Sequence, residues 1–151
     1  IIEHDSTFEI EANESCEAIG CYNRGITYTA PLQQLVALAK KSKRCRQYLK
    51  ARCQGVRLST YAWWVSAQQV KKYYWGGSTS TANKYCACGN TGTCVKTRVK
   101  CNCDVNSNSR IDVDEGYIIE KEALPITALQ FGDMDHVNER LWHTVGPLEC
   151  Y

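Results

Sequence analysis

Apolar and charged side chains alternate over residues 7 to 12, Thr-Phe-Glu-Ile-Glu-Ala, the period-two pattern of a half-buried strand. From Pro31 the period lengthens. Leu32, Leu35, Val36 and Ala39 recur at helical spacing behind a proline suited to a first helical position, and Cys45, Tyr48, Leu49 and Cys53 continue the stripe until Gly55. This predicts one helix over residues 31 to 53, with a break near Ser42. Tyr61 to Val65 and Val70 to Trp75 are aromatic and β-branched enough for two buried strands, the second ended by Gly76-Gly77. On such a strand Tyr73 and Trp75 share one face and Tyr74 takes the other. Residues 78 to 110 read as loop, with turn chemistry at Asn90 to Gly92 and five cysteines in place of a core. Tyr117 to Ile119 and Trp142 to Val145 predict short strands, and Leu124-Pro125-Ile126 a turn or sheet edge.

At 151 residues the chain is of single-domain length, so residues 1–151 are expected to form one domain. Its ten cysteines change the picture from a generic domain to an extracellular one, because a reducing compartment would leave them as thiols. The close pairs Cys86-Ala-Cys88 and Cys101-Asn-Cys103 lack zinc-site spacing, so Cys16, Cys21, Cys45, Cys53, Cys86, Cys88, Cys94, Cys101, Cys103 and Cys150 are expected to close five disulfides. The favoured local pair is Cys45 with Cys53. Cys16 and Cys21 have three options: each other, the far end near Cys150, or a second chain. No apolar run is long enough to span a bilayer, so no membrane insertion is expected. Opening at Ile1 without a leader, the chain reads as a processed, secreted product, and Asn13-Glu14-Ser15 is an N-glycosylation acceptor.

A net charge of +2 conceals a strong segregation: residues 18 to 103 hold 15 of the 18 Lys and Arg and no Asp or Glu. In one reading, acidic ends fold over a basic middle. In the other, Lys40, Lys41, Lys43, Arg44, Arg46, Lys50 and Arg52 form a basic helical face for a sulfated glycan. An extracellular setting argues against nucleic acid as the polyanion.

The motifs YAWWV, YYWGGS, CACG, CNCD, DEG, LPI, GDMD and VGPLEC, in this order, resemble the fibrinogen-like module of contactin-associated proteins and their neurexin relatives. VGPLEC also resembles the end of fibrillar-collagen C-propeptides. The likeness covers roughly Gly25 to Cys150; residues 1–24 diverge, and VNSNSRIDV replaces a tract that carries tryptophan in the relatives. The resemblance implies an α+β fold with a central mixed or antiparallel sheet, long disulfide-tied loops and an extracellular recognition role without catalysis. For a lone module of this kind it further implies a lectin for acetylated sugars.

The candidate chemistry follows two lines. A carbohydrate site would draw on Tyr73, Trp75 and Asn83, beside the hydroxyl-rich loop Ser78 to Thr81, and on Asp133, Asp135, His136 and Asn138. An acetamido group needs both an apolar wall for its methyl and polar partners, and these residues offer both; packing is the competing explanation for the rings. Asp104, Asn106, Asn108, Asp112 and Glu115 fall at positions 1, 3, 5, 9 and 12 of an EF-hand-like register, hard oxygen donors suited to Ca, although Ser109 stands where that loop needs glycine. Neither a Gly-x-Ser-x-Gly elbow nor a zinc-protease signature occurs, so no enzyme is expected. The leading expectation is a secreted lectin for N-acetylhexosamine-bearing glycoproteins, acting as a homodimer. The alternative is an adhesion or matrix module that binds a protein, or sulfated glycans through the basic 40–52 segment.

Overall fold

The computed structural model describes residues 1–151. Its strands are β1 (Ile10–Glu11), β2 (Tyr22–Gly25), β3 (Cys45–Gln54), β4 (Trp63–Val65), β5 (Lys71–Lys72), β6 (Asp112–Ile118), β7 (Ala128–Phe131), β8 (Arg140–Val145) and β9 (Glu149–Cys150). Two α-helices, α1 (Leu32–Lys41) and α2 (Ala87–Thr91), and 3-10 turns at Asn102–Val105 and Lys121–Ala123 complete the chain. One sheet has the order β1-β8-β3-β6, with β9 pairing the start of β3; the other has the order β2-β7-β4-β5. Every strand pair is antiparallel. The fold is therefore mostly β, with two antiparallel sheets in place of the expected single central sheet.

The helix expected over residues 31 to 53 ends at Lys41, and its second half is the central strand β3. Cys45, Gln47, Leu49, Ala51 and Cys53 are all buried, a strict period of two. Gln47 hides that period in the sequence because it is polar. Its burial is matched by full hydrogen bonding: the amide donates to the Tyr28 hydroxyl oxygen at 2.8 Å and the Gly146 carbonyl at 3.0 Å, and its oxygen accepts from the Ile126 amide at 2.9 Å. The pairing of Cys45 with Cys53 fails for the same reason. Eight residues of extended strand separate them by on the order of 26 Å, far beyond disulfide reach.

The five bridges are Cys16–Cys21, Cys45–Cys150, Cys53–Cys103, Cys86–Cys101 and Cys88–Cys94, and no cysteine is free. Cys45–Cys150 ties β3 to β9, while Cys53–Cys103 ties the far end of β3 to the loop that two further bridges organise. Five disulfides fit an extracellular domain, and no helix is long and apolar enough to cross a membrane.

The core lies between the inner faces of the two sheets. Phe131 of β7 stacks on His143 of β8 with ring centres 6.0 Å apart, and on its own side meets Trp75 at 5.5 Å. Tyr22 of β2 shares a 2.8 Å hydrogen bond with His143. Leu49, Leu129, Leu141 and Val145 are fully buried in the same cluster.

The YYWGG stretch is explained by this packing. The strand expected over residues 70 to 75 contracts to Lys71–Lys72, and Tyr74 and Trp75 both turn inward, leaving only Tyr73 partly exposed. The two glycines then cross the five-stranded sheet at very close range. A Cβ on Gly76 would stand 2.5 Å from the Leu49 carbonyl oxygen, and one on Gly116 would stand 2.5 Å from the Gly77 Cα. Three glycines let two backbones touch where side chains would hold them apart.

Candidate functional site

The outer face of the five-stranded sheet gathers most of the basic strand. Arg46, Tyr48, Lys50 and Arg52 alternate outward from β3, opposite Tyr117 and Glu115 of β6 and Trp142 of β8. Arg52 binds both carboxylate oxygens of Glu9, at 2.8 and 3.1 Å, and this hydrogen bonding holds the Glu9 carboxyl below its ordinary range. Arg140 binds Glu11 likewise, at 2.9 and 3.2 Å. Arg46 pairs with Glu149 at 3.3 Å and lies over the Tyr117 ring, which meets Tyr48 edge to face at 5.6 Å. Tyr48 donates to Glu115, which Lys50 approaches at 4.0 Å. The acidic ends thus fold over this part of the basic middle. The product is a near-neutral lattice of rings and guanidiniums, a surface type enriched at protein interfaces.

The residues expected to form one sugar site separate into two places. Trp75 is 1% exposed against Phe131, which corrects its assignment as a binding wall: it is a core ring. Tyr73 is exposed, but its ring packs on Trp63 and lies under the Lys84 ammonium. Asn83 donates to Ser80 at 2.9 Å, within its own loop. Asp133 is buried, accepting from the Arg57 amide at 3.1 Å and its guanidinium at 3.5 Å. Asp135 and His136 do line a cleft of about 330 Å³, together with Asn13, Glu14, Glu139 and Arg140, and that cleft contains none of Tyr73, Trp75 or Asn83. Asn138 is exposed, with its carbonyl taken by Gln54. Carboxylates crowd this end: Glu17, Asp133 and Glu139 bring their oxygens within 4.8 Å of one another, as do the ligand atoms of Asp135, His136 and Glu139. A hydrogen bond that protonated Glu17 donates to the Asp135 carboxylate raises the Glu17 carboxyl above its usual range, and the negative charges of Asp133, Asp135 and Glu139 push the same way.

The five residues of the calcium register have different neighbours. Asp104 accepts the Leu58 and Ser59 amides at 3.0 and 3.1 Å, Asp112 is buried against Arg110 at 2.7 Å, and Glu115 belongs to the outer-face lattice. Asn106 sits in a left-handed turn at φ 56°, and Asn108 offers its carbonyl to Gln54. The carboxylates of Asp104, Asp112 and Glu115 thus each have a partner of their own.

Asp114, which the register passed over, is the carboxylate with the most unusual setting. It is buried, accepts the Asn102 and Cys103 amides at 2.8 Å each, and burial pushes it up to about 6. Together with Thr79, Asn90, Thr93, Asn102 and Glu115 it lines a polar hollow of about 410 Å³ between β6 and the disulfide-tied loop. The hydroxyl-rich loop is moored there, since Asn90 accepts from both the Ser78 hydroxyl at 2.7 Å and the Thr79 amide at 2.9 Å. The sequence set this loop beside Tyr73, Trp75 and Asn83, none of which lines the hollow, and Asp114 and Asn102 carried no separate signal.

No family model matches the chain. It is 35% identical over 143 residues to neurexin-4 of Drosophila melanogaster, an alignment covering 87% of this chain and 11% of that protein. Contactin-associated protein 1 of Mus musculus is 30% identical over 130 residues, covering 82% of this chain and 9% of the mouse protein. The same protein of Rattus norvegicus is 28% identical over 130 residues, with the same coverage. The chain spans about a tenth of the length of these relatives. What it shares with neurexin-4 and contactin-associated protein 1 is one stretch of each, and in this chain that stretch makes up most of a disulfide-rich antiparallel domain.

Proposed function

We propose that this chain is an extracellular adhesion-type module of fibrinogen-like kind, and that it binds a protein partner through the outer face of its five-stranded sheet. The observation that carries this is the lattice of Tyr48, Tyr117, Arg46 and Arg52, laid over the covered Trp142 ring and held in place by carboxylates. Such preset aromatic and Arg groups supply contact area at little entropic cost. The similarity to contactin-associated protein 1 supports the reading and makes contactin the first partner to try.

The test is surface binding of the domain to purified contactin with Tyr117→Ala, Lys50→Glu and His136→Ala. Loss of about tenfold or more in the first two, with His136→Ala unchanged, supports the sheet face; equal binding by all three rejects it. No binding by the parent removes contactin as the partner. A second reading keeps the sugar function but moves it to the polar hollow at Asp114, whose hydroxyls and amides suit a single hexose ring. Competition by free N-acetylglucosamine that Asn102→Ala abolishes would support it, and no competition would reject it.

A further inference from the structure

Arg46, Lys50 and Arg52 find carboxylates, but the cations just upstream do not. Lys40, Lys41, Lys43 and Arg44 are exposed and enter none of the ion pairs of the domain. The helix macrodipole accounts for Lys40 and Lys41 in the last turn of α1. It does not account for Lys43 and Arg44, which lie beyond the helix in the turn into β3.

Two adjoining hollows run along this edge. One, of about 650 Å³, is lined by Lys43, Arg44, Arg46, Ile119 and Tyr151; the other, of about 350 Å³, by Val36, Ala39, Lys40 and Gln68. Lys121 and Glu122 line both, so the two form one trough. Lys121 is anchored, its ammonium donating to the Ser42 carbonyl at 2.7 Å, which fixes a positive charge at the middle of the trough. Glu122 is the single carboxylate on its walls. Ile119 and Tyr151 are 69% and 61% exposed, giving an apolar strip beside the cations.

We propose that this trough binds a linear sulfated polysaccharide, with sulfates on Lys40, Lys43, Arg44 and Lys121 and sugar rings against Tyr151 and Ile119. The chemistry selects this ligand. The trough joins two hollows through Lys121 and Glu122, so it can seat successive units of a chain rather than one compact anion. Lysines on flexible stems meet sulfates as point charges without demanding one bidentate geometry. Five disulfides place the domain where sulfated polysaccharides are the abundant polyanion and nucleic acid is not. The site shares only Arg46 with the outer sheet face, so it stands or falls apart from the protein-binding reading.

The test uses heparin-derived oligosaccharide, desulfated heparin, poly-glutamate and anionic phosphatidylserine vesicles as probes. The whole domain should bind heparin with an affinity that drops steeply as salt rises, since exposed charges are screened over about 8 Å at 0.15 M. The double variant Lys43→Ala/Arg44→Ala should lose about tenfold or more in affinity, with an unchanged melting curve. Lys96→Ala/Arg98→Ala, in the disulfide-tied loop, should bind as the parent does. Equal heparin binding by the Lys43/Arg44 variant overturns the site. Equal binding of desulfated heparin, poly-glutamate or vesicles overturns the ligand.

Discussion

The ζ carbon of Arg52 lies 4.2 Å from the centre of the Trp142 ring, directly across the strand pair, and Arg140 approaches the same ring at 4.6 Å. Both guanidiniums are held by carboxylates from the N-terminal segment, so a tryptophan on the outward face of a sheet is only 8% exposed. Trp142→Ala should therefore cost about 3 kcal/mol, as a buried aromatic does. Arg52→Ala should cost about 1 kcal/mol, because a partly exposed ion pair and a surface cation–π contact each add little. Urea denaturation midpoints at constant m check both values. A Trp142→Ala midpoint equal to the parent's would mean that the clamp has no role in stability.

Asp114 and His143 titrate over one pH window with opposite signs. Burial raises Asp114 from 3.8 to about 6, so the folded state holds that proton more tightly; its contribution is full below about pH 4 and lost as pH rises through 6. Burial lowers His143 from 6.5 to about 4, so the unfolded state holds that proton more tightly; its contribution is full above 6.5 and lost as pH falls through 4. Each amounts to on the order of 3 kcal/mol, and in the parent they offset. Relative to the parent, Asp114→Asn should become steadily more stable as pH climbs from 4 to 6.5, and His143→Gln steadily less. Parallel profiles for all three proteins would contradict the assignment.

Gly116→Ala should destabilise the domain by more than about 2 kcal/mol or prevent its folding. The added carbon meets the Gly77 backbone at 2.5 Å, and the backbone there has φ 154°, which side-chain-bearing residues rarely adopt. Gly25→Ala is the matched control, with nothing within 4 Å of the new carbon, and should shift the thermal midpoint little. Similar melting of the two variants would show that the crossing relaxes.

Peptide mapping without reduction should recover Cys45–Cys150 and Cys53–Cys103 as long-range links, and thiol titration of the unfolded, unreduced chain should find none free. Replacing Cys45 and Cys150 by Ala opens a loop of sequence separation 105, where chain entropy predicts a cost of about 5 kcal/mol; Cys16 and Cys21, separated by 5, should cost about 2. A larger loss from the short bridge than from the long one would invert this order.

Part of the five-stranded sheet was legible from pattern. Tyr117 and Trp142 to Val145 lie on the strands their residues announced, and the acidic ends do meet basic residues of the middle. β3 was not legible, because Gln47 occupies a buried register position and Cys45, Tyr48 and Leu49 imitate a helical stripe. Only the partners of Gln47, which come from Tyr28, Ile126 and Gly146, reveal why a polar side chain belongs inside. The candidate sites fared similarly. Trp75 reads as a binding ring until the Gly76-Gly77 crossing turns it inward, and Asp114 reads as one acid among several until two amides of a distant 3-10 turn close on it.

The Cys45–Cys150 bridge also sets how the domain responds to being pulled. Ile2 and Leu148 exchange backbone hydrogen bonds at 2.8 and 3.0 Å, so force applied through residues 1 and 151 peels neighbouring strands apart. The covalent path then runs from residue 1 to Cys16, across that bridge to Cys21, on to Cys45, across the second bridge to Cys150, and out. Everything between Cys45 and Cys150 is bypassed and carries no load. Unravelling stops at Cys45, an extension of roughly 130 Å at full stretch once the Cys16–Cys21 shortcut is counted, while the pairing of β3 with β6 and β8 stays intact. Under a pull at both ends, the domain lengthens to a fixed limit and then holds.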